Sequence, residues 1–114
     1  MMITQFEDII ARQKAKQLTT IVYGDFKNNH DYGFKDQIQR ASTSIMNNIA
    51  EGFERKSNKK LKQYLFIAKG SCGEVRSMLH LSKELRYQTP KRTEDLIKQS
   101  TEISKMLSGF IKSL

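Results

Sequence analysis

The sequence predicts an all-α fold, an antiparallel up-down-up-down four-helix bundle. Apolar residues recur at helical spacing along most of the chain, and strand-like alternation is absent. The single Pro, Pro90, follows Thr89, where the pair can end one helix and begin the next. A chain of 114 residues holds one core, so residues 1–114 are expected to form one domain.

Four segments carry the pattern. The first helix is predicted over residues 4–25, where Thr4 and Glu7 stand at capping-box spacing and Phe6, Ile10, Leu18, Ile21 and Val22 supply the apolar positions. Gly24 and the polar run Lys27–Asp31 end it, in a loop that closes at Gly33. The second helix is predicted over 36–54, with Ile38, Ala41, Ile45, Ile49 and Phe53 as its stripe. Ser57 is the expected N-cap of the third, over 58–87. Leu61, Leu65, Ala68, Cys72, Val75 and Leu79 form one apolar row there. Tyr64, Ile67, Ser71, Met78, Leu81 and Leu85 form a second row beside it. Together they cover about half the circumference, more than one bundle seam needs, which implies contact with another copy of the chain. The fourth helix is predicted over 90–113, with Leu96, Ile103, Leu107, Phe110 and Leu114 inward. Gly70 and Gly73 lie within one turn of the third helix. Each costs roughly 1 kcal/mol against Ala, which suggests a close backbone approach by another helix.

Chemistry for catalysis is missing. His30 and His80 fall on different elements, and no Cys stands near them at ligand spacing, so no metal is expected. Cys72 lies in the apolar row and reads as a buried thiol. Glu51 and Glu74 have no acid–base partner set, and no Gly-rich run precedes a Lys-Ser or Lys-Thr pair. No enzyme activity, catalytic residue or cofactor is therefore expected. A lone Cys suits a reducing cytoplasm. The start, Met1-Met2-Ile3-Thr4, does not read as a signal peptide, and no stretch is long and apolar enough for a membrane span.

The basic residues are better organised. Twenty Lys and Arg against twelve Asp and Glu give a formal charge of +8, which favours polyanionic partners. Lys62, Lys69, Arg76 and Lys83 stand seven apart on the third helix, so they drift only about 20° per step and form a nearly straight stripe. Lys59 widens the stripe, and Arg55 and Lys56 extend it into the preceding turn. A row of cations one or two helix turns apart can meet several phosphates of RNA or DNA. Nothing resembles a zinc finger, a helix-turn-helix or a single-strand stacking platform, so little sequence preference is expected. The competing reading is a protein–protein scaffold or accessory subunit with no direct nucleic-acid contact.

The segment from Gln37 to Arg55, QIQRASTSIMNNIAEGFER, resembles the signature of the 23S rRNA intervening-sequence family of four-helix bundle proteins. A second match, Ala68-Lys69-Gly70-Ser71-Cys72-Gly73-Glu74, is similar to that family's Ala-x-Gly-Ser-x-x-Glu. Many members carry Pro-Ala where this chain has Met46-Asn47. The resemblance implies an antiparallel bundle, often a homopentamer, with no established catalytic activity. It also implies kinship with the accessory proteins of diversity-generating retroelements, basic pentamers that bind nucleic acid and a reverse transcriptase. The expected partners are thus the chain itself, RNA or DNA, and a reverse-transcriptase-like or other protein. Within the motif, Asn48 is expected to find partners in Arg40 or Glu51, with Arg55 completing a polar network, and Gly52 to let the second helix end close to a neighbour. Arg40, Asn48, Glu51, Gly52, Gly70, Ser71 and Gly73 are the candidate structural and oligomer residues.

Overall fold

The computed structural model describes residues 3–114; Met1 and Met2, part of the start read above, lie outside the described residues. Helix α1 spans Ile10–Asp25, α2 Tyr32–Glu54, α3 Asn58–Glu84 and α4 Pro90–Lys112. Each helix packs on its neighbours in sequence, and α4 returns against α1, giving a closed square of four. The molecule measures 42 × 22 × 19 Å. Paired side chains fix the directions. On α2 and α3, Gln37 meets Glu74 while Ser44 meets Ser71, so the numbering rises on one helix as it falls on the other. Cys72 and Lys83 of α3 meet Ser100 and Glu94 of α4 in the same opposed sense. The helices are antiparallel.

The expected caps on α3 and α4 are present. Ser57 Oγ accepts from the Lys60 amide at 3.4 Å, and Thr89 Oγ1 from the Arg92 amide at 3.2 Å, with Pro90 opening α4. Each satisfies one of the amides that a helix start leaves without an intrahelical partner.

Three boundaries differ from expectation. The Thr4–Glu7 box does not form. Phe6–Asp8 make a single 3-10 turn, and Ile9 takes an extended backbone before α1 starts at Ile10. Burial of the Ile9 side chain holds this break, and the Arg12 guanidinium lies over the Phe6 ring at 5.1 Å. Helix α2 begins four residues early because Asp31 caps it, its Oδ1 accepting from the Phe34 amide at 3.2 Å. Helix α3 ends at Glu84, where Arg86 enters the left-handed region at φ 59°.

Two aromatic residues outside the predicted stripes close this end of the bundle. Phe26 is fully buried and meets Phe34 at 5.4 Å between ring centroids; Phe34 meets Tyr87 at 5.1 Å. Polar bonds tie the same corner to the α3–α4 turn. The Tyr87 hydroxyl donates to Asp31 Oδ2 at 2.6 Å, and Arg92 Nε donates to Asp25 Oδ2 at 2.7 Å. The Tyr87 bond holds the Asp31 carboxyl below its ordinary pKa and raises that of Tyr87.

Elsewhere the core is the meeting of four apolar stripes. Leu18, Ile38, Ile45, Leu65, Leu79 and Leu107 are all fully buried within it. No described helix is long and apolar enough to cross a membrane.

Candidate nucleic-acid interface

Helix α3 organises the surface. Its first row, Leu61 to Leu79, is buried as its spacing predicts. Cys72 belongs to that row: its thiol donates to the Ser100 carbonyl at 3.0 Å, and burial pushes its pKa up to about 11. It is therefore a packed thiol and a poor nucleophile. The second row divides. Met78 is buried, Tyr64 and Ser71 turn to α2, and Ile67, Leu81 and Leu85 stand 45–53% exposed on the outer face.

The basic stripe lies on the α4 side of α3. Lys62 is exposed, and Lys69 and Arg76 are half-buried, with the Arg76 guanidinium folded over Gly73. Lys83 is paired with Glu94 of α4. Arg55 is also committed: it pairs with Glu51 at 3.0 Å and donates to the Tyr64 hydroxyl at 2.9 Å, which raises its pKa. Lys56 sits in the α2–α3 turn at φ 54°, and Lys59 is exposed one turn into α3. Among the described residues Lys56, Lys59, Lys62, Lys69 and Arg76 make no ion pair.

A second row runs beside the first. Lys91, Lys98, Lys105 and Lys112 also stand seven apart, on α4, and all are exposed. Glu94 marks the side of α4 that meets α3. Lys98, Lys105 and Lys112 follow it by steps of four, seven and seven residues, so they lie within about 40° of its direction, on the exposed face of α4. The spacing is present in the sequence, but a lysine late in a helix is already explained by the helix dipole, so the row does not stand out there. Two antiparallel rows of cations therefore run along the outer surfaces of the neighbouring helices α3 and α4, and the α3 row borders the groove between them. Glu94 is neutralised by Lys83, while Asp95 and Glu102, three residues before Lys98 and Lys105, are also exposed on α4.

The motif residues line the opposite seam, between α2 and α3. Gln37, Ser44 and Glu51 recur every seven residues and form three polar rungs. Gln37 donates to Glu74 at 3.3 Å, Ser44 meets Ser71 at 2.9 Å, and Glu51 joins Arg55 and Tyr64. Asn48 is tied to the middle rung. Its amide donates to the Ser44 carbonyl at 2.8 Å and to Ser44 Oγ at 2.9 Å. The expected partnership with Arg40 or Glu51 is thus corrected. Arg40 points to solvent and pairs with Asp36 one turn back at 3.1 Å, while Glu51 is occupied by Arg55. Asn48→Leu removes one amide from a half-buried, helix-spanning rung. We expect a loss of about 1 kcal/mol, coupled to Ser44→Ala. Additive single and double variants in urea unfolding would show that the rung does not act as a unit.

The glycines also separate. Gly52 is buried, and a Cβ there would sit 2.6 Å from Tyr64 Cβ, so the α2 backbone packs directly against the Tyr64 side chain of α3 at this point. Gly70 has open space around it, and Gly73 meets only the Arg76 guanidinium, at 3.9 Å. The expected close approach of another helix at Gly70 and Gly73 does not occur within the chain.

These features define the class: a small, basic, antiparallel four-helix bundle whose polar motif residues knit α2 to α3. The family model described as 23S rRNA-intervening sequence protein matches residues 7–109, and the chain belongs to that family. Among solved structures it is similar to a protein of unknown function from the S23 ribosomal protein family of Bacteroides thetaiotaomicron VPI-5482. The two share 28% identity, with 90% of this chain and 96% of that chain covered at a TM-score of 0.83. No curated protein matches the sequence.

Proposed function

We propose that this chain is a homo-oligomeric, non-catalytic module that binds RNA or DNA through the α3–α4 face with little sequence preference. The observation that carries this reading is the pair of cation rows at seven-residue spacing, with Lys62, Lys69 and Arg76 on one and Lys98, Lys105 and Lys112 on the other, all free of ion pairs among the described residues. Lys62 to Arg76 spans about 21 Å of helix, enough to face several phosphates of a backbone. In a ring of identical subunits weak contacts of this kind add. Binding measured by fluorescence anisotropy tests it. With about five phosphates contacted, affinity falls about 10²–10³-fold between roughly 50 and 200 mM salt. No binding of any nucleic acid at low salt overturns the reading.

Self-association is supported by a separate observation. The outer face of α3 leaves Ile67, Leu81 and Leu85 exposed around an unobstructed Gly70. A pentamer is the assembly that the family resemblance implies. Gly70→Leu adds bulk where the chain itself has room and also gains helix propensity, so the isolated fold keeps its stability. We expect the assembly to weaken, read by light scattering as a mass moving toward the 13.2 kDa of one chain. A wild-type protein that is monomeric at micromolar concentration removes this part of the proposal.

The second reading is a scaffold or accessory subunit for a protein partner, such as a reverse-transcriptase-like enzyme. The same exposed apolar residues favour it. An apolar contact persists as salt rises, whereas phosphate contacts do not.

A further inference from the structure

Phe66 was outside both apolar rows, and the structure gives it an unusual position. It lies 56% exposed, the most exposed aromatic side chain on α3, and among the described residues no aromatic or cationic partner covers its ring. By helical spacing it stands among the cations: one turn after Lys62, two after Lys59 and one before Lys69. With Asn58, Lys59, Lys62, Gln63 and Leu114 it lines an open depression of about 320 Å³.

An exposed Phe ring costs free energy in water, and a row of cations costs little there. A ligand that uses both must offer a flat apolar face and a negative charge a few ångströms away. The depression supplies a ring for stacking, ammonium groups for charge, and the Asn58 and Gln63 amides, which can donate and accept hydrogen bonds. An unpaired nucleotide fits this set, because its base has a π-face and its phosphate a charge. A duplex does not, because its bases are stacked on one another and present only edges in the grooves.

We propose that the depression around Phe66 is a stacking site for an unpaired base, so that the basic face prefers single-stranded RNA or DNA over duplex. The proposal rests on the nucleic-acid reading above and adds the strandedness of the ligand.

The chain has no Trp, so Phe66→Trp places a unique tryptophan at the site, which can be excited selectively over the tyrosines. The probes are a fluorescein-labelled dT20 strand and a labelled 20-base-pair duplex, each titrated at low salt. Stacking predicts that dT20 quenches the Trp emission and the duplex does so far less. It also predicts that Phe66→Ala weakens dT20 binding about 5- to 100-fold, that duplex binding changes less than twofold, and that Phe66→Tyr restores dT20 binding. Helix content and assembly mass are recorded for each variant. If both probes bind by anisotropy but Phe66→Ala affects them equally and Trp is not quenched, the stacking site is wrong and the nucleic-acid reading stands. If neither probe binds, both fall. If Phe66→Ala shifts the mass of the assembly and leaves dT20 affinity unchanged, the ring is a subunit contact and the proposal is overturned.

Discussion

Exchanging Lys62, Lys69 and Arg76 together for Glu abolishes nucleic-acid binding at about 0.1 M salt, while helix content and assembly mass stay as in the wild type. Each exchange moves the charge by two, so the formal +8 falls to +2. Charge alone is not the argument, because affinity depends on where phosphates meet cations. The three residues lie on one line beside the α3–α4 groove and make no ion pairs among the described residues, so replacing them turns attraction into repulsion along about 21 Å. The α4 row gives an independent check: Lys98, Lys105 and Lys112 changed to Glu should have a comparable effect. The control is Lys14, Lys16 and Lys27 changed to Glu, on and just after α1, away from the α3–α4 groove. It alters net charge equally and should weaken binding only modestly. Equal losses in all three variants would reduce the face to diffuse electrostatics. Unchanged binding in the first would remove it.

The parts of this molecule that were legible in the sequence are those set by period. Leu61, Leu65, Ala68, Cys72, Val75 and Leu79 are buried because residues three and four apart share a helix face, and nothing in the tertiary structure competes with that rule. Ser57 and Thr89 cap as expected because an Nα-proximal hydroxyl serves the local backbone wherever the helix goes. What failed depended on rotamers and distant contacts. Asn48 sits at the edge of the α2 stripe, and period alone could not choose between Ser44, Arg40 and Glu51 as its partner. Its short amide reaches the previous turn on its own helix, whereas Arg40 lies two turns back on the solvent side. Phe26 and Phe34 flank a run of polar residues, so each looked isolated. They become a core pair only because the α1–α2 corner folds them together beneath Tyr87. The Asp25–Arg92 and Asp31–Tyr87 bonds have no local signal at all. In the candidate site, the α3 stripe was legible by its spacing; the α4 row has the same spacing but was missed. Phe66 was not, since its significance depends on the openness of the surface around it.

Gly52 gives the sharpest test of the packing. A Cβ at this position would lie 2.6 Å from Tyr64 Cβ and 3.3 Å from Leu61 Cδ1. The Leu61 methyl can rotate, but Tyr64 Cβ is fixed to the α3 backbone and moves only if the helices part. Parting them would open the exposed Glu51–Arg55–Tyr64 contact and loosen the seam toward Ser44 and Ser71. Two terms oppose each other in Gly52→Ala. Helix propensity favours Ala by roughly 1 kcal/mol, and overpacking costs about 1–3 kcal/mol or more. The contact is backbone-anchored and severe, so overpacking wins, with a net loss of about 1–2 kcal/mol and a Tm lower by roughly 4–10 °C. Gly52→Leu should lose more. A Gly→Ala exchange at Gly109, where a Cβ meets nothing within 4 Å, gains propensity with no clash and should raise the Tm. A second-site change gives the diagnostic. Tyr64→Ala keeps the offending Cβ and does not rescue Gly52→Ala, whereas Tyr64→Gly removes it and should recover part of the loss. Thermal unfolding by circular dichroism reads each variant. A Gly52→Ala protein as stable as wild type would mean that α2 and α3 do not meet this closely, and the assignment of Gly52 to helix contact would be lost.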